Sequence, residues 1–515
     1  MLTAIRHGIG STVDEPAGIT QQAIEGSRPH SRIGWAPMLV LCAVPLWVAL
    51  CVRTGLPLDD HFITFTYARN LAQGHGFVYN GGEPYLGTTT PLLTLLLALL
   101  SLLLPGVGIP LIAIWLGGAL WAAAATLAFL IGKWLAGPLV GLLMAAFLMS
   151  IGVFPHVLSS EYPLMLVCSL AALYWALSHR YWLAGVAFGL AFLARGDAAI
   201  LAALAGLALL MRDRRVPWAL VFGFTLVVLP WCIYGLIVFG NPLPATLAVK
   251  RAHRAVGAWP HLYIGFLRWL RAAGLGFQVW LAGVGVLALF ALIWSFVKRH
   301  IWVAVLVLWG VIYAAAYLAL DVHFYFWYGI PLLASLALGA GLGLAYLVGV
   351  QAGPRLPPSG SAVRLSPARA LAFLLAAVLL VAGGSQVAET TASLRHVRVK
   401  QAGYVAAGRW LAEHTPPGST AGLVEVGLVG YYSQRPIIDF LGLVTPGVDP
   451  YLVKHDYAGM MEAYHPDYYV RNPEFDGWQM TADILGSDYF QRHYVPAAEI
   501  PRDGASPLVI YRRTD

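Results

Sequence analysis

Only eight acidic side chains lie between residues 33 and 394: Asp59, Asp60, Glu83, Glu161, Asp197, Asp213, Asp321 and Glu389. In so apolar a stretch an ionisable group is costly to keep, so those that persist mark candidate chemistry. Asp59 and Asp60 are adjacent, follow Pro57, and open the amphipathic run DDHFITFTYARNLAQGHGF. Capping an interfacial helix is the bland reading. One aspartate is enough for a cap, which leaves a carboxylate able to take a proton from a hydroxyl. A second anomaly is the basic segment 240–272, with Lys250, Arg251, Arg254, Arg268 and Arg271. It reads either as an interfacial helix on anionic headgroups or as a site for a lipid-linked phosphate, with Arg giving bidentate contacts and Lys a point charge.

Three further groups belong on the list. In Asp321-Val322-His323-Phe324-Tyr325-Phe326-Trp327-Tyr328 the aromatics are expected as an interfacial belt, which leaves Asp321 and His323 unexplained. Arg195 and Asp197 interrupt a hydrophobic run, either as an ion pair holding two helices or as part of a site. Glu161, in HVLSSEYP, is either a loop residue or a second carboxylate. Asp213, in an RDRR turn, and Glu389, at a helix exit, read as solvated. Together these residues suit one reaction. A sugar on a polyprenyl phosphate transfers when cations stabilise the departing phosphate and a carboxylate accepts the acceptor's proton.

The elements that must position them are membrane helices. The chain has 515 residues, 59% hydrophobic and 11% charged, with mean hydropathy +0.70. These values exclude a soluble enzyme, a disordered chain and a disulfide-built secreted scaffold. Runs near 35–52, 91–104, 110–131, 139–155, 163–179, 183–211, 217–239, 275–297, 301–320, 329–350 and 370–388 predict a polytopic α-helical membrane protein of about 11 spans. The 183–211 run, broken at Arg195-Gly196-Asp197, reads as one tilted helix or two half-helices. The first run follows mostly polar residues and is long enough to anchor, so no cleavable leader is expected.

Basic clusters at Arg212/Arg214/Arg215, Lys298/Arg299 and Arg355/Arg364/Arg369 mark cytoplasmic connections, and Arg28 and Arg32 put the N-terminus on that side. An odd span count then places the C-terminal tail outside the cell membrane. Residues 395–515 hold 11 Lys/Arg and 14 Asp/Glu, net −3, and the first 394 residues hold the other 21 and 11, net +10. A basic membrane portion of this kind does not indicate nucleic-acid binding. The four cysteines, Cys42, Cys51, Cys168 and Cys232, lie in or beside apolar runs and spell neither a disulfide framework nor a metal site. Expected domains are a cytoplasmic tail (1–34), a transmembrane domain (35–394) whose first outer loop is 53–91, and a small extracytoplasmic α/β domain (395–515). Within the last, a helical period in YVAAGRWLAEH precedes strand-like TAGLVEV, RPIIDF, PDYYV and PLVIYRR.

Residues 59–91, DDHFITFTYARNLAQGHGFVYNGGEPYLGTTTP, resemble the first outer loop of GT-C class glycosyltransferases. The resemblance is greatest to the branch containing mycobacterial terminal arabinofuranosyltransferases. It continues in FGNPLPATLAVK (239–250), HFYFWYGIPLL (323–333) and VGYYSQRPIIDFLGLVTP (429–446). His61 and Tyr85-Leu86-Gly87 depart from the pattern. The resemblance implies a multispan enzyme using a polyprenyl-phosphate sugar donor on the outer face. Asp59 or Asp60 would be the catalytic base, and Lys250 would lie near the donor phosphate. Arg251, Arg254 and His323 are assigned to the same phosphate, with Glu161, Arg195, Asp197 and Asp321 as site support.

The acceptor on this reading is a glycan, lipid or protein of the envelope. Asp59 and Asp60 would be the ligands of a divalent cation such as Mg²⁺ or Ca²⁺ if the site holds one. The alternatives are a transporter or flippase of lipid-linked sugar, which would show paired repeats that this chain lacks, and an oligosaccharide polymerase or ligase, which would need no DD pair.

Overall fold

The computed structural model describes residues 57–82, 84–246, 249–250, 261–349 and 367–514. The expected first span, the N-terminal tail, Glu83, Arg251, Arg254 and nearly all of the 351–369 linker lie outside the described residues.

The first described helix is α1 (Asp59–Ala72), buried along most of its length and followed by a loop to Thr90. A helical bundle comes next: α2 (Pro91–Leu103), α3 (Ile109–Ala136), α4 (Pro138–Met149), α5 (Tyr162–Leu177), α6 (Tyr181–Ala194), α7 (Ala199–Asp213), α8 (Trp218–Phe239), α9 (Leu262–Ala272), α10 (Leu275–Lys298), α11 (Ile301–Leu320) and α12 (Ile330–Leu347). Among the described residues six helices are long and apolar enough to cross a membrane: Ile109–Ala136, Trp218–Phe239, Leu275–Lys298, Ile301–Leu320, Phe326–Leu347 and Arg369–His414. Four further apolar helices, α2, α4, α5 and α6, are shorter. The 183–211 run forms two pieces, because Arg195 is extended and a single 3₁₀ turn, Gly196–Ala198, separates α6 from α7.

The bundle closes over glycines. A methyl on Gly185 of α6 would sit 2.1 Å from the Leu220 carbonyl oxygen of α8, and one on Gly223 of α8 would sit 2.3 Å from that of Trp182. Without a hydrophobic drive between helices in lipid, such backbone approach is what van der Waals packing requires. Between α3 and α4 the turn is made by Gly137, at φ +99°, and Pro138, which starts the next helix.

The helix of the last apolar run does not stop where that run ends. α13 (Pro367–His414) continues unbroken for 48 residues, so the boundary drawn at residue 395 falls inside a helix. The polar stretch ETTASLRHVRVK ends the hydrophobic run, but it contains no Gly or Pro to end a helix. After Thr415-Pro416-Pro417-Gly418 comes a mixed sheet, in the order β2-β1-β3-β5-β4. Its strands are β1 (Ala421–Leu423), β2 (Ile437–Asp439), β3 (Tyr468–Arg471), β4 (Tyr494–Arg502) and β5 (Ala505–Arg513). The first three run parallel, and β5 pairs antiparallel with β3 and β4. β4 is the strand the sequence pattern misses. It carries Pro496 and Pro501, tolerable on the edge it occupies because an edge strand leaves one row of N–H groups unpaired.

The sheet's two faces serve different cores. Tyr468 and Val470 of β3 join the core that runs through the bundle, and Tyr469 between them faces a second core with Leu452, Met460, Met480 and Phe490. That second core is closed by α15 (Asp449–Lys454), α16 (Tyr457–Tyr464), α17 (Gln479–Gly486) and α18 (Asp488–His493). α14 (Val426–Ser433), between β1 and β2, lies against α1.

The glycine seam between α6 and α8 gives the first test. Gly185→Val should destabilise the protein by about 1–3 kcal/mol through overpacking, lowering the thermal unfolding midpoint in detergent. An unchanged midpoint would contradict the close approach.

Candidate active site

α1 begins in an uncommon way. Its N-cap is Leu58, and neither aspartate caps it; Asp59 and Asp60 are the first two helical residues. His61 reaches back instead, its Nδ1 accepting the Leu58 N–H at 3.2 Å, in the position a Glu or Gln takes in a capping box. Adjacent residues on a helix point about 100° apart, so the two carboxylates diverge. Asp59 turns toward the C-terminal domain, where it accepts the backbone N–H groups of Gly427 (3.0 Å) and Leu428 (2.7 Å) in the first turn of α14. The N-cap of α14, Glu425, makes no capping bond of its own. Asp59 therefore caps a helix 368 residues away. Gly427 is obligatory at this contact, since a Cβ there would lie 1.8 Å from the Asp59 carbonyl oxygen.

Other bonds hold the loop and the domain together. The Asn80 amide exchanges two bonds with the Ile437 backbone, at 2.8 and 2.9 Å. Tyr79 donates to the Val426 carbonyl at 2.8 Å. Arg69 donates to the Tyr431 carbonyl at 2.6 Å and lies 5.0 Å from that residue's ring centroid.

Asp60 lines a cavity of about 600 Å³ between α1, the bundle and the 241–250 segment. Lys250 lines it too, donating to the Tyr328 hydroxyl at 2.5 Å, with its ammonium 5.4 and 5.1 Å from the rings of Tyr325 and Tyr328. Those aromatics, expected as a belt, surround the cation. The protein around Asp60 displaces bulk water and raises its pKa. The Lys250 charge opposes that rise, and the Glu161 charge adds to it.

Glu161, Arg195 and Asp197 meet on the same cavity wall. The Arg195 guanidinium donates to Glu161 (2.6 Å), to Asp197 (2.7–3.1 Å) and to the Tyr317 hydroxyl (2.9 Å), and its centre lies 4.6 Å from the Tyr162 ring centroid. Tyr313 and Tyr317 donate to Asp197 at 3.2 and 2.7 Å. Both readings of Arg195–Asp197 meet here: an ion network joins the broken helix to α11, and it borders the cavity.

His323 and Asp321 stand elsewhere. His323 is buried behind Tyr325, with ring centroids 4.5 Å apart, and its backbone bridges His261. Asp321 ends α11 in the left-handed region, its carboxylate 3.1 Å from His261 Nδ1. Neither is among the residues lining the cavity. Arg251 and Arg254 are outside the described residues. Among the described residues no three His, Cys, Asp or Glu side chains converge, and Asp59 accepts two amides. The cavity also holds residues that sequence reasoning did not assign to the site, notably His61, Thr64, Ser159 and the Thr88-Thr89-Thr90 run. The only sequence signal for the last was the cluster of hydroxyls before Pro91.

With this geometry in hand, the comparisons give a fold. It is GT-C-like: a bundle of apolar helices with a small C-terminal sheet. ArnT from Cupriavidus metallidurans bound to undecaprenyl phosphate superposes with a TM-score of 0.58 at 15% identity, covering 92% of this chain and 97% of that one. The archaeal oligosaccharyltransferase AglB from Archaeoglobus fulgidus, in complex with an inhibitory peptide and a dolichol-phosphate, gives 0.57 at 13% identity, covering 90% and 73%. Residues 392–511 match a domain of unknown function, DUF8728. No curated protein matches the sequence.

The contact between α1 and the domain has a pH signature. Burial and its neighbour's charge push Asp59 from 3.8 to about 6, against the amides it accepts. Burial, then the Asp59 charge, pushes Glu425 from 4.5 to about 8. Folded-state values above the unfolded ones mean that the folded protein binds more protons across this window, so this pair's contribution to stability falls as pH rises from about 4 to 8. Glu425→Gln should raise the unfolding midpoint at pH 8 and narrow its difference from that at pH 5. An unaltered difference would remove Glu425 from this role.

Proposed function

We propose that this protein transfers a sugar from a polyprenyl-phosphate donor to a glycan, lipid or protein acceptor at the outer face of the cell membrane. Asp60 is the base and Lys250 the cation beside the donor phosphate. One observation carries the reading: Asp60 and Lys250 line one cavity, while Asp59 is withdrawn from it by α14. Support comes also from the two similar structures, each of which holds a polyprenyl phosphate, undecaprenyl phosphate in ArnT and dolichol-phosphate in AglB.

The chemistry balances with these groups. The acceptor hydroxyl oxygen attacks the anomeric carbon, and its proton passes to the Asp60 carboxylate. The bond from that carbon to the phosphate oxygen breaks, and its electron pair leaves with the phosphate, next to the Lys250 ammonium. A positive charge held where negative charge develops lowers the barrier without reorganisation. Raising the Asp60 pKa makes it a stronger base than an ordinary carboxylate, as general-base catalysis near neutral pH requires. In this scheme the N-terminus is cytoplasmic, residues 395–515 form an outer domain, and the bundle between them holds the lipid donor in the bilayer.

The direct test uses protein in nanodiscs with a panel of polyprenyl-phosphate sugars and envelope acceptors, reading free polyprenyl phosphate by mass spectrometry. Asp60→Asn should lower release at least about 100-fold while leaving the unfolding midpoint near that of the wild type. Full activity in Asp60→Asn would refute the assignment. The pH profile supplies a second check. Because Lys250 lowers the Asp60 pKa, Lys250→Met should move the acid limb of kcat/KM to higher pH as well as slow the reaction. A limb that stays in place would separate Lys250 from Asp60.

A further inference from the structure

The cavity is not polar in the same way on every side. Its cations lie with Tyr317, Tyr325 and Tyr328. Another part of the wall is built of neutral hydrogen-bonding groups, from α1 and the loop that follows it. There Thr64 and Thr88 join hydroxyl to hydroxyl at 3.3 Å, and the Thr88 hydroxyl accepts the Thr90 N–H at 3.4 Å. The Thr90 side chain is 2% exposed, and its hydroxyl has no hydrogen-bond partner among the described residues. A buried hydroxyl without a partner is costly to keep, a penalty that a ligand hydroxyl would remove.

His61 adds a donor of fixed identity. Its Nδ1 accepts the Leu58 N–H and lies 2.9 Å from the Ser159 hydroxyl, which assigns the ring proton to Nε2. Burial, followed by the charge of His156, lowers its pKa to about 3, so the ring is neutral at working pH. No bond from Nε2 to protein is formed among the described residues.

Resting on the reading above, we infer that Thr64, Thr88, Thr90 and His61 form the subsite for the donor's sugar, and that this subsite selects an uncharged sugar. The remaining charges argue the same way. Arg195 is already engaged by Glu161, Asp197 and Tyr317, so it has no donor pair left for a uronic acid carboxylate. Lys250 is committed to the phosphate. An amino sugar's ammonium would pair with Asp60 and hold the base away from the acceptor's proton. A neutral sugar meets neither obstacle, and its hydroxyls can both donate to and accept from threonine side chains. Selection of this kind is strong because a site built for hydroxyl bonding leaves its own polar groups unpaired with the wrong ligand.

The experiment uses full-length protein in nanodiscs with polyprenyl phosphates bearing neutral, uronic acid and amino sugars. It compares wild type with Thr90→Val, Thr64→Val and Thr90→Ser. Neutral donors should release polyprenyl phosphate at least tenfold faster than either charged class. Thr90→Val and Thr64→Val should each lower kcat/KM for the best neutral donor about tenfold, with Thr90→Ser restoring it. Binding of sugar-free polyprenyl phosphate should be unchanged in all three, which also reports that they are folded. Faster release from a charged-sugar donor, or neutral-donor kinetics untouched by both valine variants, overturns the inference and leaves glycosyl transfer standing. No release from any donor by wild type overturns the functional reading and this inference with it.

Discussion

The N-terminal turn of α14 exposes amide groups that must find an acceptor once the C-terminal domain packs down, because an unpaired buried N–H is as expensive as a lost hydrogen bond. The residue in the capping position, Glu425, does not supply it, and Asp59 does. That exchange ties the sheet domain to α1, and the bonds from Arg69, Tyr79 and Asn80 close the same interface. Its consequence reaches the cavity. α1 is a rigid helix, so holding the Asp59 side chain against α14 also sets the direction of Asp60. The two adjacent carboxylates are thus not duplicates. One fastens two parts of the molecule, and the fastening aims the other.

Around the cavity, burial of charge is handled by pairing. Arg195 sits between two carboxylates and is backed by a tyrosine hydroxyl, and bonds from Nε and both terminal nitrogens repay its desolvation. The break between α6 and α7 makes this possible, since an unbroken helix could not present Arg195 and Asp197 to the same neighbours. Lys250 is held differently, by a hydroxyl and two aromatic faces, and among the described residues no carboxylate forms an ion pair with it. A cation placed this way keeps its charge available. The asymmetry between an arginine paired with two carboxylates and an available lysine gives the cavity its direction.

Much of the architecture was legible in the residues. Long apolar runs became long helices because backbone groups in lipid must be satisfied within their own segment. The break at Arg195-Gly196-Asp197 showed as a polar interruption, and four of the five strands showed as β-branched and aromatic runs between turn residues. The edge strand with its two prolines did not, and neither did the continuity of α13 across a polar stretch. In the site, Asp60, Glu161 and Asp197 were found by rarity of acidic charge, Arg195 as a break in an apolar run and Lys250 from a basic segment and the family resemblance, and all five meet at one cavity. His323 and Asp321, picked because an aromatic belt does not explain them, do not line it. The threonines were passed over because neutral polar residues are common and carry no such signal, and His61 was noted only as a departure from the family pattern.

The sequence alone determined a helical membrane bundle with a small mixed domain at its end, and it reduced the candidate chemistry to a handful of charged side chains. Hydropathy and charge are local properties, and a local reading suffices for them. Which of two neighbouring aspartates faces the cavity was decided only by the tertiary structure. The amides that claim Asp59 lie 368 residues along the chain, and no pattern around residues 59 and 60 records a partner at that distance.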